Sequence, residues 1–142
     1  MKKILVVDDE APMRSVLNDL LGEDYEVTLA ANGHEAKELV GKIAFDLVIT
    51  DLVMPEMNGL DLQAALARTR NAMPVIFLTG HGDIPSTVRA MRDGAEDFLE
   101  KRTPKEMLLA AVRRAIARDE QERAARSKKR EVQALFDQLS ER

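Results

Sequence analysis

Acidic side chains follow two of the short apolar runs in this sequence. Asp8 and Asp9 come directly after ILVV, and Asp51 comes directly after LVIT. Three carboxylates that converge repel one another and therefore need a cation. Oxygen ligands suit the hard ion Mg²⁺, which typically keeps water molecules and binds one or two carboxylates together with a phosphate. A carboxylate beside such an ion can attack a phosphoryl group and become an aspartyl phosphate.

Two more polar residues follow apolar runs further along the chain. Thr79 follows VIFL, and Lys101 follows DFLE. They offer a hydroxyl donor and a cation for phosphoryl oxygens. Taken singly, each of these positions is more typical of a solvated loop or a helix cap than of a site. The coincidence of all four strand-end positions is what indicates a phosphoryl-accepting site.

These residues need a scaffold that brings the ends of several strands together. Five runs of strand length, mostly β-branched or aromatic, recur in the first hundred residues, at 4–7, 27–30, 47–50, 75–78 and 97–100. Helical patterns lie between them, which predicts a (βα)5 doubly wound, flavodoxin-like parallel sheet of the α/β class in the order 2-1-3-4-5. In that order the first and third strands are neighbours at the switch point, so Asp8, Asp9 and Asp51 converge.

Caps and stop residues predict the helices that connect the strands. Asn32 and Asn58 are expected to cap the second and third helices, and Gly41 is expected to end the second. The inward face of the first helix, which Gly22 follows, is predicted to carry Met13, Val16, Leu17, Leu20 and Leu21.

The last two helices have their own start signals. Pro85 is expected to open the fourth helix, with Val88 and Met91 on its inward face. Thr103 and Glu106 have the spacing of a capping box for the fifth helix, which should begin near Pro104.

Composition bounds the class of protein. The chain has 142 residues, a length that indicates one domain with an appendage. It has no cysteine, which suits a reducing cytoplasm, and its formal charge is −4. The start MKKILVVDDE holds too short an apolar run for a signal sequence or a membrane span. The charge argues against a protein that coats nucleic acid. Residues 117–142 are nearly balanced, with 7 of the 21 Lys/Arg and 6 of the 25 Asp/Glu, so the acidic excess lies in residues 1–116.

Four stretches make the chain resemble a response-regulator receiver domain of two-component signalling. They are ILVVDDE, LVITDLVMPEMNG, PVIFLTGHGD and DGAEDFLEK, and the resemblance covers residues 2 to about 118. It implies that Asp51 is the phosphoacceptor, that Asp8 and Asp9 form an acidic pocket, and that the backbone carbonyl of Val53 completes a Mg²⁺ site. It also implies a sensor histidine kinase as phosphodonor.

The same resemblance assigns the residues that respond to the phosphoryl group. Thr79 and Lys101 correspond to its phosphate-sensing pair, and Phe98 to an aromatic switch residue. One departure is that Arg102, not proline, follows Lys101. Receivers usually have a cis peptide bond to proline there, and without proline the cis form costs about 2.5 to 4 kcal/mol. Either the bond stays cis under strain, or it is trans and the loop re-forms.

Two rival functions share parts of this pattern. Phosphatases of the haloacid-dehalogenase type also use a strand-end aspartate with Mg²⁺, but they place an acidic proton donor two residues later, where this chain has Val53. A flavodoxin-like cofactor binder would need a phosphate loop rich in Ser, Thr and Gly, which is missing. A third alternative is a stand-alone receiver that acts by binding a protein partner.

The C-terminal part of the chain indicates a helix that leaves the domain. No Gly or Pro occurs in residues 105–139, so residues 1–118 are interpreted as the receiver and residues 119–142 as a helical linker. The ending FDQLSER resembles the approach to a LuxR-type helix-turn-helix output domain, and LTGHGDIPSTVRAM resembles receivers joined to such domains or to AAA+ activators. DNA binding is therefore expected only through an output domain outside this chain.

An apolar stripe near the end of this helix suggests self-association. Val132, Leu135, Phe136 and Leu139 recur at three- and four-residue spacings. We expect a homodimer through this helix, biased by phosphorylation through the surface of the fourth helix, fifth strand and fifth helix. The stripe could instead pack on an output domain. The charged segment before it could also be a solvated single helix held by pairs such as Glu122 with Arg126.

Overall fold

A computed structural model describes residues 1–69, 72–80 and 82–140, the last without the side chain of Ser140. Five parallel strands form one sheet in the order β2-β1-β3-β4-β5, as the sequence predicts. The strands are β1 (Lys3–Val7), β2 (Glu26–Ala30), β3 (Leu47–Thr50), β4 (Val75–Thr79) and β5 (Asp97–Glu100). The helices are α1 (Ala11–Leu21), α2 (Gly33–Lys42), α3 (Gly59–Ala67), α4 (Ile84–Arg92) and α5 (Lys105–Ser140).

The sheet is buried on both faces because helices cover each of them. Side chains alternate along β1: Ile4 and Val6 pack with α1 and the first turns of α5, whereas Leu5 and Val7 pack with residues of α2, α3 and α4. Continuous apolar strands are therefore accommodated without a solvated face. The consequence for function is a rigid central layer whose carboxyl-end edge carries the polar residues.

Two of the predicted caps are present as hydrogen bonds. The Asn32 side chain accepts from the N–H of Glu35 at 2.8 Å, and the Asn58 side chain accepts from the N–H of Asp61 at 2.9 Å. Gly41 does not end α2, because the helix continues through Lys42. Caps formed by short side chains are local and readable from the sequence, whereas the position of the last helical turn also depends on the tertiary path of the chain beyond it.

The predicted capping box of the fifth helix is not formed. Within the described residues neither Thr103 nor Glu106 makes a side-chain hydrogen bond, and α5 begins at Lys105. The first turn is closed instead by the backbone carbonyl of Pro104, which accepts from the N–H groups of Met107 and Leu108 at 3.0 and 3.2 Å.

Three residues predicted to face inward are exposed. Val16 is 57% exposed, Val88 is 49% and Met91 is 45%. In α4 the inward positions belong to the fully buried Ala90 and the half-buried Thr87. Val88 is turned about 100° around the helix from Thr87, and Met91 about 100° from Ala90. Small residues on this face let α4 lie close to the sheet. Hydrophobic periodicity within α4 does not predict this preference for small residues, because it depends on packing between elements.

The last helix, α5, continues past the domain. Its inward residues through Ile116 pack on the sheet, whereas every residue from 120 to 139 is exposed. Its 36 residues make it about 54 Å long at 1.5 Å per residue. None of the described helices is both long enough and apolar enough to cross a membrane.

Candidate phosphoryl-accepting site

Strand pairing brings the predicted carboxylates together. β1 and β3 are neighbours, and Val7 lies opposite Thr50 in their register. The N–H of Asp51 donates to the carbonyl of Val7 at 2.9 Å, which continues the pairing one residue past β3. Asp8 and Asp51 therefore leave the sheet side by side at its carboxyl-end edge, as predicted.

Four carboxylates converge at this edge. Asp8, Asp9, Glu10 and Asp51 each present an oxygen, and these oxygens all lie within 4.8 Å of one another. Asp8 and Asp51 are buried, each 2% exposed, whereas Asp9 and Glu10 are exposed. An all-oxygen donor set of this kind fits a hard divalent cation.

Glu10 is a member of this group that the sequence reasoning did not select. Its position directly after Asp9, in the run DDE, was the available signal. The turn that carries it is held by a hydrogen bond from the N–H of Glu10 to Asp8 Oδ1 at 2.9 Å. Because of this turn, the Glu10 side chain lies beside the other carboxylates at the carboxyl ends of the strands.

Lys101 reaches into the carboxylates from the end of β5. Its Nζ lies 2.8 Å from Asp51 Oδ2, 2.9 Å from Asp8 Oδ2 and 2.9 Å from Glu10 Oε1. Burial disfavours its charge, but the hydrogen bonds to Asp51, Asp8 and Glu10 outweigh this effect and raise the pKa of Lys101 above its ordinary value. The ammonium group is therefore a permanent cation in contact with the proposed acceptor.

Burial dominates the electrostatics of Asp8. It raises the pKa of the Asp8 carboxyl, and the backbone N–H of Glu10 and the Lys101 ammonium offset this only in part. The guanidinium of Arg14, one turn into α1, does not pair with the carboxylate but donates to the backbone carbonyl of Asp8 at 2.6 Å. The pocket thus holds more negative charge than one lysine compensates.

The Asp51 carboxylate is oriented by the backbone that follows it. Its Oδ1 accepts from the N–H of Leu52 at 2.7 Å, with the N–H of Val53 at 3.4 Å, which leaves Oδ2 toward Lys101. Gly59 lies against this turn and donates to the carbonyl of Leu52 at 2.8 Å. A Cβ at Gly59 would overlap the backbone oxygen of Asp51, so only glycine permits the close approach.

Thr79 and Lys101 end adjacent strands. The N–H of Lys101 donates to the carbonyl of Thr79 at 3.0 Å, and Thr79 is fully buried. The Lys101–Arg102 peptide bond is trans, so the second of the two predicted loop alternatives applies. Lys101 nevertheless reaches the pocket without proline at the next position.

Phe98 lies beneath the loop that follows β4. Its ring stacks on that of Phe77 with centroids 5.6 Å apart. A Cβ at Gly82 would lie 2.7 Å from Phe98 Cε1 and 3.2 Å from the methyl group of Thr79. Phe98 is half-buried, so its ring occupies a position between the core and the surface, next to the predicted sensing residue.

His34 does not join this site. His34 Nε2 lies 3.6 Å from Glu56 on the surface, and both side chains are more than half exposed. His81 lies outside the described residues. The side chain two positions after Asp51 is Val53, 53% exposed, which has no proton to donate. The general acid that a haloacid-dehalogenase-type phosphatase requires is thus absent at that position.

Comparison with known protein families adds an independent observation. The model of the family described as the response regulator receiver domain matches residues 4–113. The match spans the five strands except Lys3, the first residue of β1, and it includes the first turns of α5.

Individual relatives agree with this match. Nodulation protein W of Bradyrhizobium diazoefficiens is 39% identical over 140 residues, which are 98% of this chain and 62% of that protein. Transcriptional regulatory protein FixJ of the same organism is 34% identical over 98% of this chain and 68% of its own length. This chain therefore spans about two-thirds of each.

Solved structures give the same fold. A response regulator receiver domain protein from Clostridium thermocellum superposes with a TM-score of 0.79 at 34% identity. The superposition covers 84% of this chain and 98% of that one. The part of this chain left over corresponds in size to the exposed end of α5.

Proposed function

The chain belongs to the response regulator receiver domain family of two-component systems, and from that membership we propose that Asp51 accepts a phosphoryl group from a sensor histidine kinase. The observation that supports this most is a buried carboxylate in contact with a half-buried cation and surrounded by three further acids. A purely structural ion pair needs one partner, whereas here three carboxylates contact one ammonium group and a fourth, Asp9, lies beside them.

The chemistry is a transfer between two nucleophiles. An oxygen of Asp51 forms a bond to phosphorus as the bond to the imidazole nitrogen of a phosphohistidine breaks. The electron pair of that bond stays on the imidazole. Lys101 Nζ, 2.8 Å from Asp51 Oδ2, would neutralise charge on the phosphoryl oxygens without moving far. The protein therefore acts as a phosphoacceptor signalling domain and catalyses at most its own phosphorylation and dephosphorylation.

Asp8, Asp9, Asp51 and the backbone carbonyl of Val53 are the proposed ligands of Mg²⁺. Mg²⁺ prefers oxygen ligands, which these carboxylates provide, and the Glu10 carboxylate belongs to the same group. When bound, the ion would supply charge neutralisation for the transferred phosphoryl group. The excess of carboxylates over cations in the pocket supports this assignment.

Thr79 and Phe98 are the proposed switch. Thr79 would move toward the phosphoryl group, and Phe98 would turn further inward in response. Their proximity beneath Gly82 supports a coupled change, because displacement of one alters the space of the other. The surface formed by α4, β5 and the start of α5 would then change.

Residues 1–118 are proposed as the receiver and residues 119–142 as a linker that transmits the signal to an output, most simply transcription. FixJ, a transcriptional regulatory protein by name, supports this output. The exposed stripe of Val132, Leu135, Phe136 and Leu139 supports a homodimer through α5, since each is 46% to 69% exposed. The alternative is a receiver that acts by binding another protein.

Beryllofluoride, an acyl-phosphate mimic, tests the acceptor site. We expect saturable binding detected by ¹⁹F NMR in the presence of Mg²⁺, and none after Asp51→Asn. Asp24→Asn is the matched control, because Asp24 is an exposed aspartate in the turn after α1. Binding that persists without divalent metal would refute the proposed metal site, and binding by the Asp51 variant would refute the acceptor.

Sedimentation equilibrium tests the dimer separately. The chain should associate more strongly with beryllofluoride and Mg²⁺ than without them, and Leu135→Ser with Leu139→Ser should weaken this association. Both residues are exposed, so the receiver should keep its fold. A monomer in every condition would exclude dimerisation while leaving the acceptor assignment intact.

A further inference from the structure

The exposed part of α5 carries a short, strongly basic segment. Residues 126–130, RSKKR, hold four Lys or Arg and no acid, in a chain whose formal charge is −4. Each of these residues is exposed and lies on a continuous helix. The segment is therefore positively charged in a protein whose net charge is negative.

The charged residues before this segment are already paired. Asp119 pairs with Arg123 at 2.8 Å, Glu120 pairs with Lys2 at 2.7 Å, and Glu122 pairs with Arg118 at 3.2 Å. The predicted pair between Glu122 and Arg126 is consequently not formed. The acids of residues 119–122 are thus engaged with other cations.

The basic segment itself is only weakly compensated, by an electrostatic interaction of Arg126 with Asp119. In the part of the chain that the structure describes, Arg126, Lys128, Lys129 and Arg130 make no ion pair within 4.0 Å. Four like charges on neighbouring turns repel one another, which disfavours the helix unless an anionic partner offsets the repulsion. The segment is suited to a polyanion.

The helix separates the basic residues from the apolar stripe. At about 100° per residue, Arg126, Lys129 and Arg130 fall within an arc of about 100°. The centre of the apolar stripe at residues 132–139 lies about 120° away from the centre of that arc. Helices paired through the stripe would therefore leave these three side chains facing outward.

We propose that Arg126, Lys129 and Arg130 form a contact surface for the phosphate backbone of duplex DNA. Double-stranded DNA presents one negative charge per about 1.7 Å of its axis, and these residues span about 6 Å of helix, so several phosphates lie within reach. The contact is independent of sequence and adds affinity to whatever output domain reads the bases. It goes beyond the phosphoacceptor role, does not need it, and departs from the expectation that DNA is bound only through an output domain.

The composition of the segment favours DNA over an anionic membrane. A helix that lies on a membrane combines basic residues with bulky apolar residues that insert between lipids. From residue 117 to residue 131 the only apolar side chains are alanines. The bulky apolar residues of α5 lie further on, in the stripe of Val132, Leu135, Phe136 and Leu139. The dimer proposed above would bury that stripe, which leaves charge without an inserting face and matches recognition of a phosphate backbone.

Fluorescence anisotropy with a labelled 20-base-pair duplex of arbitrary sequence tests the surface, using this chain at up to 100 μM. We expect saturable binding at 50 mM salt that weakens about 40-fold at 200 mM, the change for three phosphate contacts. The variant Arg126→Gln, Lys129→Gln, Arg130→Gln should lose this binding. Lys37→Gln, Lys42→Gln, Lys105→Gln removes the same charge from the receiver and should bind like the wild type.

Three results would overturn the proposal. They are undetectable binding at 50 mM salt, equal affinity of the tail variant and the wild type, and binding to vesicles of 25% phosphatidylserine without binding to the duplex. Circular dichroism of the tail variant checks that α5 stays helical. Asp51→Asn should bind DNA like the wild type, so the failure of this proposal and the failure of the acceptor assignment give different results.

Discussion

The two edges of the sheet both collect charged residues, but they balance them differently. At the amino-end edge Lys2 pairs with Glu120 at 2.7 Å and lies 4.0 Å from Asp46, and the Lys2 and Glu120 side chains are about half exposed. At the carboxyl-end edge one lysine faces Asp8, Glu10 and Asp51, of which Asp8 and Asp51 are buried. At the first edge the charged side chains are partly exposed to water, whereas the second keeps an excess of buried carboxylates.

This difference separates a structural cluster from a chemical one. Exposed pairs cost little to form or to lose, because water replaces either partner. Buried carboxylates repel one another and lose hydration, so they persist only where something offsets that cost. The carboxyl-end edge is thus organised to receive further positive charge and phosphoryl oxygens, whereas the amino-end edge has no such requirement.

Lys101→Met should give the largest loss of stability. Removal of the ammonium leaves Asp8 and Asp51 buried without a cation, and we expect the free energy of unfolding to fall by about 3 kcal/mol, the lower end for a broken buried pair. Urea unfolding with and without 10 mM Mg²⁺ measures this loss. The metal should restore more stability to the variant than to the wild type. A metal-free variant as stable as the wild type would contradict the account of this edge.

Gly59→Ala should have an intermediate effect on the same edge. The added methyl group overlaps the backbone oxygen of Asp51 and comes within 2.8 Å of Phe77, so we expect a loss of about 1 to 3 kcal/mol and slower phosphorylation. Gly41→Ala is the control, because nothing lies within 4 Å of its added atom inside α2. It should be neutral or stabilise by up to about 1 kcal/mol. Equal effects of the two substitutions on urea unfolding would disprove the close approach.

Lys2→Met should have the smallest effect, although it makes the same substitution as the first test. The Lys2 side chain is 43% exposed, so loss of its pair with Glu120 should cost less than about 1 kcal/mol. Urea unfolding of both variants in the same buffer measures how much more free energy of unfolding Lys101→Met loses than Lys2→Met. We expect a clearly larger loss for Lys101→Met. Comparable losses would mean that the two edges do not differ as described.

The sequence was sufficient for the sheet and for most of the site. Five apolar runs predicted the five strands to within a residue at each end, because strands buried on both faces are continuous in apolar character. Strand order then placed Asp8, Asp9 and Asp51 together without any knowledge of distances. Lys101 was also located correctly, since β5 ends at the same edge.

The features that the sequence missed depended on tertiary geometry. Val88 and Met91 were assigned to the core by hydrophobicity, but close packing of α4 favours the small Thr87 and Ala90 there. Glu10 was passed over because an exposed acid after a pair of aspartates is unremarkable until the turn returns it to Lys101. Neither outcome follows from periodicity, which reports one element at a time.

Intact-mass measurement after incubation with acetyl phosphate and Mg²⁺ tests the central assignment most directly. The wild type should gain the mass of one phosphoryl group, and hydroxylamine should remove it, as expected of an acyl phosphate. Asp51→Asn should gain nothing, while Asp24→Asn should behave as the wild type. A phosphoryl group still added to the Asp51 variant, or one that resists hydroxylamine, would contradict the assignment of Asp51 as the phosphoacceptor.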